Sequence, residues 1–193
     1  MQSYNSLSVF PDVPSGLEAL SAARDRLSAY IFSNGNLEMV RASVEQSEGL
    51  KSWSSSSSRP TGPFRDLITI DKILGVGGNS GEAYADGKSA RAFKPARCVY
   101  EGLLSAVQAD GERNADEELR GVGMGDMWLV TSNPFDVVGA LNVGMRAAWV
   151  DRGGKGWVDG LAGVLGFEGP TVVVSGIGEV VERISGWEEG RRS

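Results

Sequence analysis

The 193 residues, 41% hydrophobic and 23% charged, suit one domain with a real core, or a domain plus a small subdomain. A net charge of −6 with scattered basic residues argues against a nucleic-acid partner, and no apolar run approaches the roughly 18 residues of a membrane span. The absence of histidine removes Ser-His-Asp and Cys-His nucleophile systems and histidine zinc sites, while a single cysteine, Cys98, excludes an internal disulfide and fits a reducing, cytoplasmic compartment.

Residues 1–14 read as an N-terminal arm, polar at first, with Leu7, Val9 and Phe10 alternating with serine as in a short edge strand. They carry no basic region followed by an apolar core, so they do not read as a signal peptide. Asp12 or Ser15 caps a helix over 15–26, where Leu17, Leu20, Ala23 and Leu27 keep helical spacing. Tyr30-Ile31-Phe32 is a buried-type strand ending in Ser33-Asn34-Gly35, and 38–48 is the next helix. A loop with five consecutive serines fills 51–63, a short strand with a helix-cap or turn acid, Asp71, covers 66–71, and a glycine-rich loop fills 75–90. Lys94-Pro95 opens a helix, and the charged, then glycine-rich residues 109–125 form an exposed insertion. A strand over 127–131 leads through Thr131-Ser132-Asn133 into a helix at 134–143, with Pro134 in its first turn and Gly144 at its end. Strands at 147–150 and 171–174 and a helix at 177–184 complete a core domain of 15–187, followed by a tail, 188–193. Alternating strands and helices predict an α/β fold with a mostly parallel sheet and helices on both faces.

The turn after Met127-Trp128-Leu129-Val130 sits at the carboxyl end of a strand, where open α/β sheets bind ligands. Gly75-Val76-Gly77-Gly78 and Gly121-Val122-Gly123-Met124-Gly125 lack the strand–helix context and spacing of a nucleotide loop. Asp126 precedes its strand, at the opposite end from the site, and reads as a solvated loop acid. The five tryptophans read as packing rather than a cofactor box.

Five segments in order carry a resemblance: Phe10-Pro11-Asp12-Val13-Pro14, Ser33-Asn34-Gly35, Lys94-Pro95 with Tyr100, Thr131-Ser132-Asn133 with Asp136, and Ala147-Ala148-Trp149-Val150-Asp151-Arg152. The chain resembles the haloacid dehalogenase superfamily from about residue 9 to 184, and within it the type II L-2-haloacid dehalogenases. The resemblance implies a Rossmann-like three-layer sandwich. It implies that Lys94, Thr131, Asn133 and Asp136 serve catalysis, by placing positive charge beside a nucleophilic carboxylate and orienting that carboxylate and the hydrolytic water. Ser33, Asn34, Tyr100 and Phe135 would meet the substrate. Neither metal nor another cofactor is expected, because Ser132-Asn133 stands where magnesium-dependent relatives carry an acid.

Two departures bear on activity. The family's first motif, an aspartate after the first strand, has no counterpart before Phe10, and the helical cap with its halide arginine has none either. The fold is therefore expected without its cap and first strand, and that strand would lie between those ending at Ser33 and Ser132. Three readings follow: metal-independent hydrolysis of the carbon–halogen bond of a small 2-haloacid; a reshaped site for a larger molecule such as a secondary metabolite; or a non-catalytic, pseudoenzyme chain acting by association, for instance as a homodimer.

Overall fold

The computed structural model describes residues 8–51, 62–74 and 92–192. The strands are β1 (Ala29–Ser33), β2 (Phe64–Thr69), β3 (Trp128–Thr131), β4 (Arg146–Val150) and β5 (Val172–Val174). The helices are α1 (Val13–Ala22), α2 (Leu37–Gln46), α3 (Glu48–Lys51), α4 (Ile70–Leu74), α5 (Arg97–Asn114), α6 (Glu117–Arg120), α7 (Pro134–Asn142), α8 (Leu161–Val164) and α9 (Val180–Arg192). Strands β1 and β2 pair in parallel, and β3, β4 and β5 form a second parallel group in that order. Among the described residues no ladder joins β1 to β3, so the two strands have not closed on one another.

The strands read in sequence because their apolar runs fill two opposed cores. Leu129 of β3 packs with Tyr100, Leu103 and Val107 of α5, Ala140 of α7 and Ile68 of β2. Its neighbour Trp128 turns the other way, joining Val150, Val174, Val180 and Ile184 beneath α9. That alternation along one strand puts helices on both faces, the α/β three-layer arrangement expected. Tyr30 and Phe32 of β1 pack on the first of these cores, so α5 spans both strand groups.

Several boundaries differ from expectation. Residues 109–125 are not an open insertion: α5 continues to Asn114 and α6 follows. The reason is Asp110, which is 6% exposed and accepts hydrogen bonds from Tyr30 (2.8 Å), Arg65 (2.9 Å), Arg113 (3.2 Å) and Asn114 (2.9 Å). Gly111 in the same stretch leaves room for α6, since a Cβ there would lie 2.7 Å from Arg120 N. Residues 188–192 are not a tail but the last turns of α9, docked through Glu188 to the Trp128 indole N–H (3.0 Å) and Arg146 (2.7 Å). Residues 8–10 form no strand, and α1 starts at Val13, before the expected 15. Most of the loops at 51–63 and 75–90 lie outside the described residues.

Candidate active site

The carboxyl ends of β1 and β3 converge on Lys94. The turn Thr131-Ser132-Asn133 leaves β3 and starts α7, with Pro134 in the first helical turn. Asp136 lies in the first turn of α7 and is 3% exposed. Its Oδ2 lies 3.2 Å from Lys94 Nζ, an ion pair whose side chains are 9% and 4% exposed. The Thr131 hydroxyl donates to the same oxygen at 3.4 Å, and the Asn133 N–H donates to Thr131 Oγ1 at 3.0 Å. Asp136 Oδ1 is buried and takes no donor among the described residues, so a water or ligand proton can be accepted there.

Lys94 is not inside the helix it was expected to open. It stands in the turn before α5, joined to Pro95 by a cis peptide bond. Its N–H donates to Asn34 Oδ1 (2.8 Å), and its ammonium reaches the Phe32 carbonyl (3.4 Å) and stands 4.8 Å from the Phe32 ring centre. Asn34 therefore holds the lysine backbone, while Ser33 Oγ accepts the Gly35 N–H and shapes the turn (3.0 Å). Tyr100 is fully buried, and its hydroxyl donates to the Asp136 carbonyl at 3.3 Å. Burial, with the Asp136 charge second, pushes the Tyr100 phenol above its ordinary range and keeps it a neutral donor. Phe135 is 43% exposed beside this group.

So Ser33, Asn34, Lys94, Tyr100, Thr131, Asn133, Phe135 and Asp136 all lie at the carboxyl ends of β1 and β3 or on the adjoining turns of α5 and α7. Asp71 stays outside: its carboxylate accepts the Leu37 N–H (3.1 Å) and caps α2. Asp126 accepts the Gly123 N–H (2.9 Å) in the turn before β3. Among the described residues no group of three His, Cys, Asp or Glu side chains is placed to hold a metal ion. The roles of two residues escaped sequence reasoning, although Arg152 closes one of the five segments that carry the resemblance. Gly139 lets α7 reach α5, since a Cβ there would lie 2.4 Å from the Tyr100 hydroxyl and 2.7 Å from Pro95. Arg152, in the turn after β4, joins Ser132 to Asp12. The available signal was position alone: Ser132 and Arg152 both follow strand ends, as a ligand-edge residue must.

Haloacetate dehalogenase H-2 of Moraxella sp. (strain B) is 30% identical over 153 residues, 79% of this chain and 49% of that protein. The L-2-haloacid dehalogenase of Xanthobacter autotrophicus superposes over 96% of this chain and 64% of its own, at 25% identity and a TM-score of 0.59. In sequence and in fold the chain is similar to proteins of the haloacid dehalogenase superfamily. A second Xanthobacter structure, with chloropropionic acid covalently bound, gives the same figures. No family model matches the chain. The chain spans about half the length of the curated relative it matches. The α/β fold with parallel strands is that of the superfamily.

Proposed function

We propose that this chain is a haloacid dehalogenase-like hydrolase whose site serves metal-independent hydrolysis of the carbon–halogen bond of a small 2-haloacid. The observation that carries the reading is the buried Lys94–Asp136 pair at the meeting of the β1 and β3 ends. A fixed ammonium there stabilises an anionic carboxylate, whether of the substrate or of an attacking group, in surroundings too dry for water to do so. Thr131 and Asn133 hold the turn, and the unpartnered Asp136 Oδ1 is an acceptor for the proton of a hydrolytic water. The donor set favours chemistry without a hard cation, because the one buried carboxylate at the site is already matched by Lys94. The carboxylate that would attack C2 and expel halide is assigned to no residue of this site.

The test is chloride release from 2-chloropropionate by the purified chain, at high protein concentration, with and without chelator. Release that survives chelation and is lost in Lys94→Ala supports the reading. Absence of release from the wild-type chain overturns it. A second reading, a site reshaped for a larger molecule, draws on the exposed Phe93 (50%) and Phe135 (43%) beside Lys94 and Asp136. In that case larger apolar acids raise the melting temperature of wild type but not of Lys94→Ala or Asn133→Ala, and 2-chloropropionate does not.

A further inference from the structure

We propose that Asp12 and Arg152 are positioning residues that fix the turn between β3 and α7 through the hydroxyl of Ser132. The geometry is that of a built clamp. Arg152 Nε and Nη2 each donate to one oxygen of the Asp12 carboxylate at 2.8 Å, and Nη1 donates to Ser132 Oγ at 3.0 Å. The guanidinium also lies over the Phe10 ring, 4.2 Å from its centre. Asp12 is itself immobilised, because its Oδ2 accepts the Ile177 N–H at 2.8 Å. Gly176 leaves it that room: a Cβ there would stand 2.9 Å from Asp12 Cβ. The carboxylate thus takes three donors from the turns after β4 and β5, and the arginine passes that rigidity to β3.

The planar fork explains the choice of arginine. Two parallel N–H groups orient a guanidinium on a carboxylate, leaving the third nitrogen aimed in one direction. Here that direction is Ser132, an exposed residue that otherwise has no anchor among the described hydrogen bonds. Ser132 lies between Thr131 and Asn133, whose mutual bond feeds the Thr131 contact to Asp136 and so to Lys94. The functional weight of this clamp rests on the reading that the 131–136 turn belongs to the site.

The experiment is a double-mutant cycle on the whole chain with Arg152→Ala, Ser132→Ala and the pair, read by amide hydrogen exchange at Asn133, Asp136 and Val137. Ser132 is exposed, so its alanine variant retains the fold. Each single variant is expected to speed exchange at these amides about five-fold, the size of one surface hydrogen bond, and the pair no further. Arg152→Lys is expected not to restore the wild-type rate, since one ammonium cannot hold carboxylate and hydroxyl in fixed directions. If Ser132→Ala leaves the turn unchanged, or the pair is additive, Arg152 merely staples the start of α1 to the turn after β4 and the proposal fails. A second arm measures 2-chloropropionate binding in the same proteins. Failure of the wild type to bind counts against the hydrolase reading, while the exchange data still decide the clamp.

Discussion

The Lys94–Asp136 pair gives the sharpest test of how the site is held. Both side chains are more than nine-tenths buried and their charged atoms are 3.2 Å apart. Removing one partner of such a pair strands the other charge in a dry setting, which costs about 3–5 kcal/mol, whereas replacing both by apolar groups of similar volume is often close to neutral. Lys94→Met keeps the stem against Phe32 and deletes only the charge; Asp136→Leu does the same for the carboxylate. Thr131 is half-exposed, so its hydroxyl finds water once Asp136 is gone. Each single variant is expected to lose about 3 kcal/mol and the double variant about 1, a coupling of several kcal/mol. The loss is large against a total stability on the order of 5–15 kcal/mol. Urea unfolding with an unchanged m-value reads it directly. Additive losses, with the double variant worse than either single one, would show that Asp136 does not depend on Lys94 and would refute the argument.

Gly139→Ala puts a Cβ 2.4 Å from the buried Tyr100 hydroxyl and should cost about 2–3 kcal/mol by urea unfolding; Tyr100→Phe in the same chain should recover part of that, since the nearest obstruction is gone. Asp12 is held down to about 2, first by the hydrogen bond from Arg152, so its carboxylate stabilises the fold above the unfolded value near 3.8 and loses that contribution as pH falls towards 2. Wild type should therefore exceed Asp12→Asn by about 1 kcal/mol at pH 6, since water screens this surface pair, and the gap should close between about pH 4 and 2; a gap that persists at pH 2 would contradict the assignment. Asp110→Leu leaves the Tyr30 hydroxyl without its acceptor and Arg65 with Asp116 as its remaining partner, and should cost about 2 kcal/mol in denaturant while leaving ligand affinity at Lys94 unchanged, because it lies at the opposite strand ends.

What the sequence disclosed and what it withheld divide by the range of the interactions. Leu129 and Val130 mark a strand because an apolar run is a local pattern, and Ser33-Asn34-Gly35 and Thr131-Ser132-Asn133 mark the carboxyl ends of β1 and β3 because small polar turns are local too. The parallel architecture followed from their alternation with helical stretches. Residues 109–114 misled because Ala109-Asp110-Gly111-Glu112 looks solvated; only Tyr30 and Arg65, 80 and 45 residues away, make Asp110 a buried anchor. Asp12 and Arg152 are 140 residues apart, and no local pattern announces that one grips the other. Lys94 and Asp136 were named together through family resemblance, whereas their burial and contact came from the close approach of α7 at Gly139.

The same contacts also form the seam of the fold. Among the described residues, β1–β2 and β3–β4–β5 share no hydrogen-bonded ladder, yet both rest on α5. At the seam Lys94 reaches the Phe32 carbonyl at the end of β1 and Asp136 beyond the end of β3. Tyr100 adds a second tie, its ring edge-on to Phe32 at 5.8 Å and its hydroxyl on the Asp136 carbonyl. A candidate site residue here is therefore also a strut, and any losses of binding and of stability at Lys94 should move together. The inner edges of β1 and β3 present backbone groups that no described strand pairs, and Val130 on β3 is 39% exposed. Such edges are sticky, since an added strand satisfies many donors and acceptors at once. Sedimentation velocity should accordingly show concentration-dependent association, weakened by a proline at Val130, whose missing N–H and fixed φ disfavour strand addition. A monomer that does not change across the accessible concentration range would show that these edges are already satisfied within the chain.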